Sequence, residues 1–147
     1  EIMDASVPAA NGFFTARSLA RMYAVFAGQG EIDGVRVLSA RTVFAAAEIQ
    51  NDRPDLVLVV PMRWRLGYHR VMTSRGQISE AFGHFGFGGS GGWADPSRDL
   101  AIAMVCNRGT GTPIGDLRLM RLGAAARTAA EERPEGGRAG RRAELAS

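Results

Sequence analysis

The order of its periodic segments predicts an α+β fold, an antiparallel sheet flanked by helices. Two helix-period stretches come first, between residues 15 and 50. Apolar or alternating segments then follow one another between residues 56 and 106, separated by short turn signals. A long helix-period stretch from Ile114 to about Glu132 closes the order. That order fits helices layered against an antiparallel sheet.

Residues 1–14 are an irregular lead-in. Thr15 reads as an N-cap, and Leu19, Met22, Tyr23 and Phe26 share one face of the helix it starts. Gly28 and Gly30 end that helix. Asp33-Gly34 is a turn signal, and Val35 to Leu38 a short strand. Ser39 caps a second helix to about Gln50, with Val43, Phe44 and Ala47 facing inward. Asn51 to Asp55 breaks the pattern. Leu56 to Val60 is apolar and expected to be extended. Met62 to Met72 is expected as a strand, with Trp64, Leu66 and Tyr68 on one face and Arg63, Arg65 and Gly67 on the other. Ser74 to Gln77 turns the chain. Ala81 to Ala94 is a glycine-rich strand or loop, and Asp95 to Asp99 a hairpin connection. Leu100 to Cys106, apolar on both faces, is expected inside the sheet. A loop at 108–112 leads to the last helix, which places Leu117, Met120 and Ala124 on one side and stops at Pro134. Residues 1–132 are taken as one domain. Residues 133–147, rich in Glu, Arg, Gly and Ala, are taken as a disordered tail.

Composition excludes several functions. All 18 basic residues are arginine, interleaved with 15 acids in no block of like charge. The net charge of +3 is therefore a solvated surface rather than a nucleic-acid stripe. The absence of lysine removes the P-loop, whose lysine must reach the phosphates. It also removes any Schiff-base or Ser-Lys chemistry supplied within this chain. One cysteine, Cys106, forms no internal disulfide and reads as a small buried hydrophobe. Two histidines and one cysteine far apart do not suit a zinc site, and no cofactor is expected. No apolar run approaches the ~20 residues of a membrane span. No signal peptide is visible; a cytoplasmic location is favoured over a secreted one and otherwise left open.

The densest chemistry lies in residues 82–96, where six of fifteen residues are glycine. Glycine at that density marks a main chain that is approached closely or takes positive φ. Gly86 to Gly91 matches GxGxxG, but Trp93, Asp95 and Pro96 follow where a dinucleotide site needs a helix. Gly88 to Gly92 matches GxSxG, yet both histidines, His69 and His84, lie upstream of Ser90, against the chain order of a nucleophile elbow. Ser90 then reads as a small residue in a crowded strand.

Two segments together resemble the serine β-lactamase-like hydrolases: class C β-lactamases, DD-peptidase-type penicillin-binding proteins and esterases of the same fold. The first, Pro8-Ala9-Ala10-Asn11-Gly12 with Thr15-Ala16-Arg17-Ser18-Leu19-Ala20-Arg21, is similar to a Pro-Ala-x-Gly segment and the helix after it. The second is His84-Phe85-Gly86 with Gly88-Gly89-Ser90, Ala94-Asp95-Pro96 and a strand ending Cys106-Asn107-Arg108. It is similar to the family's third motif, Lys-Thr-Gly or His-x-Gly, beside the active site. The resemblance covers about residues 5–130. The family's Ser-x-x-Lys and Tyr-x-Asn or Ser-x-Asn motifs do not occur here. The chain is therefore expected to be a C-terminal portion of such a domain, complemented by an N-terminal part that carries them.

The resemblance implies an acyl-enzyme hydrolase acting on a small-molecule ester or amide. His84 and Gly86 would line the catalytic centre, and the Phe87 backbone N–H would be one of two oxyanion donors. Phe85 and Gly88 would meet the substrate. Histidine in place of lysine in the triplet favours esterase or peptidase-like activity over β-lactamase, although His84 could be partly charged near neutral pH. The competing expectation for His84 is a strand histidine satisfied by a neighbour. For His69, on an expected surface strand, a structural role is preferred. Trp64 and Trp93 are expected as core anchors, and Arg63, Arg65 and Arg70 as a solvated face. The alternative to a hydrolase is a non-enzymatic binding module, a remnant of that fold.

Overall fold

The computed structural model describes residue 6, residues 12–109 and residues 117–132. The expected tail, the stop at Pro134, the helix start at Ile114 and the segment Pro8 to Asn11 lie outside the described residues.

Helix α1 spans Ala16–Ala27 and starts where Thr15 predicts. The Thr15 hydroxyl accepts the Ser18 N–H, and Ser18 Oγ accepts the Thr15 N–H, each at 3.0 Å. This reciprocal pair satisfies two donors that a helix start leaves open. Tyr23, Phe26 and Ala27 are its buried residues. β1 (Glu31–Ile32) and β2 (Val35–Arg36) form a hairpin. Its turn residues Asp33 and Gly34 both take positive φ, as two-residue hairpin loops of this kind require. Helix α2 (Ala40–Ala47) is capped by Ser39, which accepts the Thr42 N–H at 3.0 Å. It buries Val43, but Phe44 is 75% exposed rather than inward. A helix this short meets the core along one edge only, and successive residues stand about 100° apart around it.

The main sheet has the order β3-β4-β5-β6, antiparallel throughout: β3 (His69–Thr73), β4 (Gly76–Phe85), β5 (Gly91–Asp95) and β6 (Leu100–Met104). Helix α1 packs with Phe82 and Ala94 on one face. Helix α3 (Leu117–Glu131) places Leu119 with Trp93 and Ile102 on the other. Alternate strand residues point to opposite faces, which divides Ala94 from Trp93 and Phe82 from Ala81. Trp93 is the core anchor expected of it. β6 lies at the edge of these four strands, not inside them. It is apolar on both faces because α1 packs over one and α3 over the other. No helix among the described residues is long and apolar enough to cross a membrane.

One expected strand is absent and another is shortened. Residues 56–58 form a turn, because the Asp55 carboxylate accepts the N–H groups of Val57 and Leu58, both at 2.8 Å. Those two bonds hold the Asp55 carboxyl below its ordinary range, Leu58 contributing most. The extended conformation expected from Met62 begins only at His69. Arg63 and Gly67 both take positive φ, and the Arg65 N–H bonds the Tyr68 carbonyl at 2.8 Å, folding the segment back on itself.

That irregular segment repairs β4. Val71 faces Ile78 while the adjacent Arg70 faces Phe82, so residues 79–81 have no partners on β3. Arg65 fills the gap, its Nη1 donating to the Ala81 carbonyl at 2.7 Å and its Nη2 to the Ser79 carbonyl at 3.0 Å. Its guanidinium also lies 5.5 Å from the Phe82 ring centroid. Arg65 is thus buried, not part of a solvated face.

The contact between α1 and β5 tolerates no side chain at Gly92. A Cβ there would lie 2.7 Å from Tyr23 ring carbons and 2.8 Å from the Ile102 carbonyl oxygen. Gly92→Ala is expected to lower stability by about 1–3 kcal/mol through overpacking. Urea unfolding of the two chains measures this, and an unchanged midpoint would refute it.

Candidate active site

The glycine-rich stretch resolves into the end of β4, a tight turn and β5. The Gly89 N–H bonds the Gly86 carbonyl at 2.9 Å, closing a four-residue turn with Phe87 as its second residue. The Gly86 N–H bonds the Ser90 carbonyl at 2.8 Å, so the turn continues the β4–β5 ladder. A strand, not a helix, follows Ser90, and neither a dinucleotide loop nor a nucleophile elbow can form. The Ser90 hydroxyl accepts the Cys106 N–H at 2.9 Å and ties the turn to the chain after β6. Cys106 itself is half-buried.

His84 is exposed at the end of β4, and its ring nitrogens meet no hydrogen-bond partner among the described residues. The protein around it desolvates the ring and holds its pKa below the ordinary imidazole value. That reduces the charged fraction near neutral pH below that of a free imidazole. Phe87 is 66% exposed, and no hydrogen bond among the described residues engages its N–H. Gly86 is half-buried; a Cβ on it would press to 3.3 Å from the Ser90 carbonyl oxygen. Gly88 is exposed and rests against Gly109.

His84, Phe85 and Phe87 share one cavity of about 190 Å³. Its apolar wall comes from Leu58, Val60, Met62 and Met72. Trp64 belongs to this wall and not to the core, its indole N–H donating to Asp55 at 3.0 Å. Gly86 and Gly88 sit beside the cavity, in the turn. Of the five expected positions, three therefore line the cavity and two do not.

His69 has the structural role expected of it but not the expected place. It is 2% exposed, not on a surface strand. Its Nδ1–H donates to the Arg70 carbonyl at 2.8 Å, and its Nε2 accepts the Phe85 N–H at 3.2 Å. Its ring centroid lies 4.7 Å from that of Phe85, 5.2 Å from His84 and 5.5 Å from Trp64. No local pattern announces this role, since it depends on a main-chain group 16 residues away. On the far side of the strand, burial pushes the Tyr23 phenol up to about 12. Nearby Tyr68 adds to that rise and a hydrogen bond from the His84 main chain opposes it, so Tyr23 supplies no phenolate base at neutral pH. Among the described residues no group of three His, Cys, Asp or Glu side chains could hold a metal ion.

Burial pushes the His69 imidazole down to about 4, and the charges of His84, Arg65 and Arg70 add to the effect against the Arg70 carbonyl bond. Between about pH 6.5 and 4 the unfolded chain holds a proton on this ring that the folded chain does not. The stability linked to His69 is therefore complete above pH 6.5 and lost as pH falls towards 4, on the order of 3 kcal/mol in all. Urea unfolding of the wild type and His69→Gln at a series of pH values should show a shallower acid loss in the variant. Equal slopes would exclude His69 as the titrating group.

A β-lactamase family model matches residues 2–127. The chain is 47% identical over 108 residues to the esterase/β-lactamase LipL of Mycobacterium tuberculosis (strain ATCC 25618 / H37Rv), a match covering 73% of this chain and 25% of LipL. It thus spans about a quarter of that relative's length. Among solved structures, a penicillin-binding protein homologue from Caulobacter crescentus superposes with a TM-score of 0.67 at 35% identity, over 76% of this chain and 31% of that one. A family VIII carboxylesterase superposes with a TM-score of 0.68 at 33% identity, over 75% of this chain and 30% of that one. The sheet and its flanking helices are a portion of the fold these proteins share, and the chain belongs to the β-lactamase family.

Proposed function

We propose that residues 84–88 are one wall of the acyl-transfer site of a serine hydrolase that cleaves small esters or amides through an acyl-enzyme. The observation that carries this is the Phe87 N–H, unengaged in a tight turn beside His84 and an apolar cavity. An oxyanion hole needs main-chain donors aimed at developing charge. Gly86 and Gly88 leave the approach to that donor open. Phe85 and the cavity wall would receive the apolar part of the substrate. His84, whose charged form desolvation disfavours, is a poorer cation for a substrate carboxylate than the lysine it replaces, which favours an ester over a β-lactam. The names of LipL and the family VIII carboxylesterase agree with that preference.

The nucleophile is supplied from outside these 147 residues, so the chain alone is inactive towards esters. A serine-reactive phosphonate should leave it unlabelled; stoichiometric labelling of Ser90 or any other serine would sink the proposal.

Activity is tested by placing the matched residues in LipL in place of their counterparts and assaying a chromogenic ester. Phe87→Ala keeps the N–H and should change little. Phe87→Pro removes the N–H at the second position of the turn, where proline is accepted. It should lower kcat by about 10²–10³-fold, the effect of losing one oxyanion donor. Equal activity of the two variants would exclude the Phe87 amide.

A second function, a non-enzymatic binding module, is favoured by exposed apolar side chains. Leu56 is 97%, Val57 85% and Val59 77% exposed. An oligomer or co-purified partner on sizing supports it, and a monodisperse monomer counts against it.

A further inference from the structure

β4 outlasts its partner. β3 begins at His69, opposite Gly83, while β4 runs on to Phe85. Main-chain N–H groups alternate in direction along a strand, so that of Phe85 points to the same side as that of Gly83. On that side no residue of β3 remains to receive it. His69 receives it with its own side chain, through Nε2 at 3.2 Å. The Nδ1–H bond to the Arg70 carbonyl at 2.8 Å fixes which nitrogen carries the proton. Phe85, His84 and Trp64 surround the ring edge to face, so it has no second orientation that keeps both bonds.

We propose that His69 is a positioning residue of the acyl-transfer wall. It holds the Phe85 main chain and thereby sets the direction of the His84 ring and of the Phe87 N–H two residues on. The proposal rests on residues 84–88 being that wall. Catalysis is sensitive to such placement, since a shift of about 1 Å in a reacting group can cost about 10²-fold.

Three substitutions separate positioning from packing. Glutamine places an acceptor where Nε2 stands and can keep the Phe85 bond. Asparagine places a donor where Nδ1 stands and keeps only the Arg70 bond. Phenylalanine fills the space and keeps neither. In the full chain, amide exchange at Phe85 should be about tenfold faster or more in His69→Asn and His69→Phe, and within about threefold of wild type in His69→Gln. Comparable acceleration in His69→Gln and His69→Asn would overturn the proposal. The wild type gives a test that needs no variant. Its labelled His69 ring should carry the proton on Nδ1 and show scalar coupling from Nε2 to the Phe85 amide; a proton on Nε2 would refute the bond.

The catalytic arm uses the LipL chimera. His69→Asn should lower kcat about 10²-fold with KM little changed, and His69→Gln should restore it. An inactive wild-type chimera would count against the ester-hydrolase function while the exchange data still decide the bond. An active chimera whose kcat ignores His69→Asn would reduce His69 to a structural role and overturn the positioning proposal.

Discussion

The structure depends on satisfying a strand that its neighbour cannot satisfy. β4 is twice as long as β3, carries three unpaired residues in its middle and overhangs β3 at its end. Each buried main-chain group left without a partner costs about 1–3 kcal/mol. The remedy comes from the segment just before β3 and from the first residue of β3 itself. Arg65 takes the carbonyls of Ser79 and Ala81, and His69 takes the N–H of Phe85. Both can do so only because residues 62–68 are irregular, with Arg63 and Gly67 at positive φ. A regular strand there would have aimed successive side chains at alternate faces of the sheet rather than along its edge.

The glycines of residues 82–96 serve two purposes. Gly83 and Gly92 lie within paired strands, where a Cβ would run into Trp93 or Tyr23. They leave room for the Trp93 side chain of β5 on one face and for the Tyr23 phenol of α1 on the other. Gly123 of α3 gives Trp93 the same room, a Cβ there lying 3.0 Å from the indole. Gly86, Gly88 and Gly89 lie in the turn instead, where Gly89 takes positive φ and the chain reverses beside the cavity. Packing glycines therefore hold the strand ends that the turn glycines leave accessible.

Charge is disfavoured beside this turn. Burial opposes protonation of His69 and ionisation of Tyr23, and desolvation opposes protonation of His84. The polar groups beside the apolar cavity are dipoles, an imidazole and an open N–H. Dipoles fixed in place stabilise charge that develops during a reaction without the cost of reorienting.

Local signals in the sequence were enough to locate the helices and the Asp33-Gly34 hairpin and to indicate the family. Helix periodicity, the Thr15 and Ser39 caps and the turn chemistry are local, so they survive without knowledge of the fold. Chain order was enough to dismiss GxGxxG and GxSxG, because each motif needs a helix directly after it. The His-x-Gly triplet pointed to His84 to Gly88, of which His84, Phe85 and Phe87 line the cavity. Tertiary structure alone decided the rest. The apolar run at 56–60 reads as a strand until the Asp55 carboxylate bends it, and Arg65 reads as solvated until β4 bulges beside it. β6 reads as interior because two helices bury its faces, which sequence cannot distinguish from burial by neighbouring strands. His69 carries no pattern of its own. Its partner is a single N–H that the sheet register leaves over, and register is fixed by pairing between strands distant from any one window of sequence.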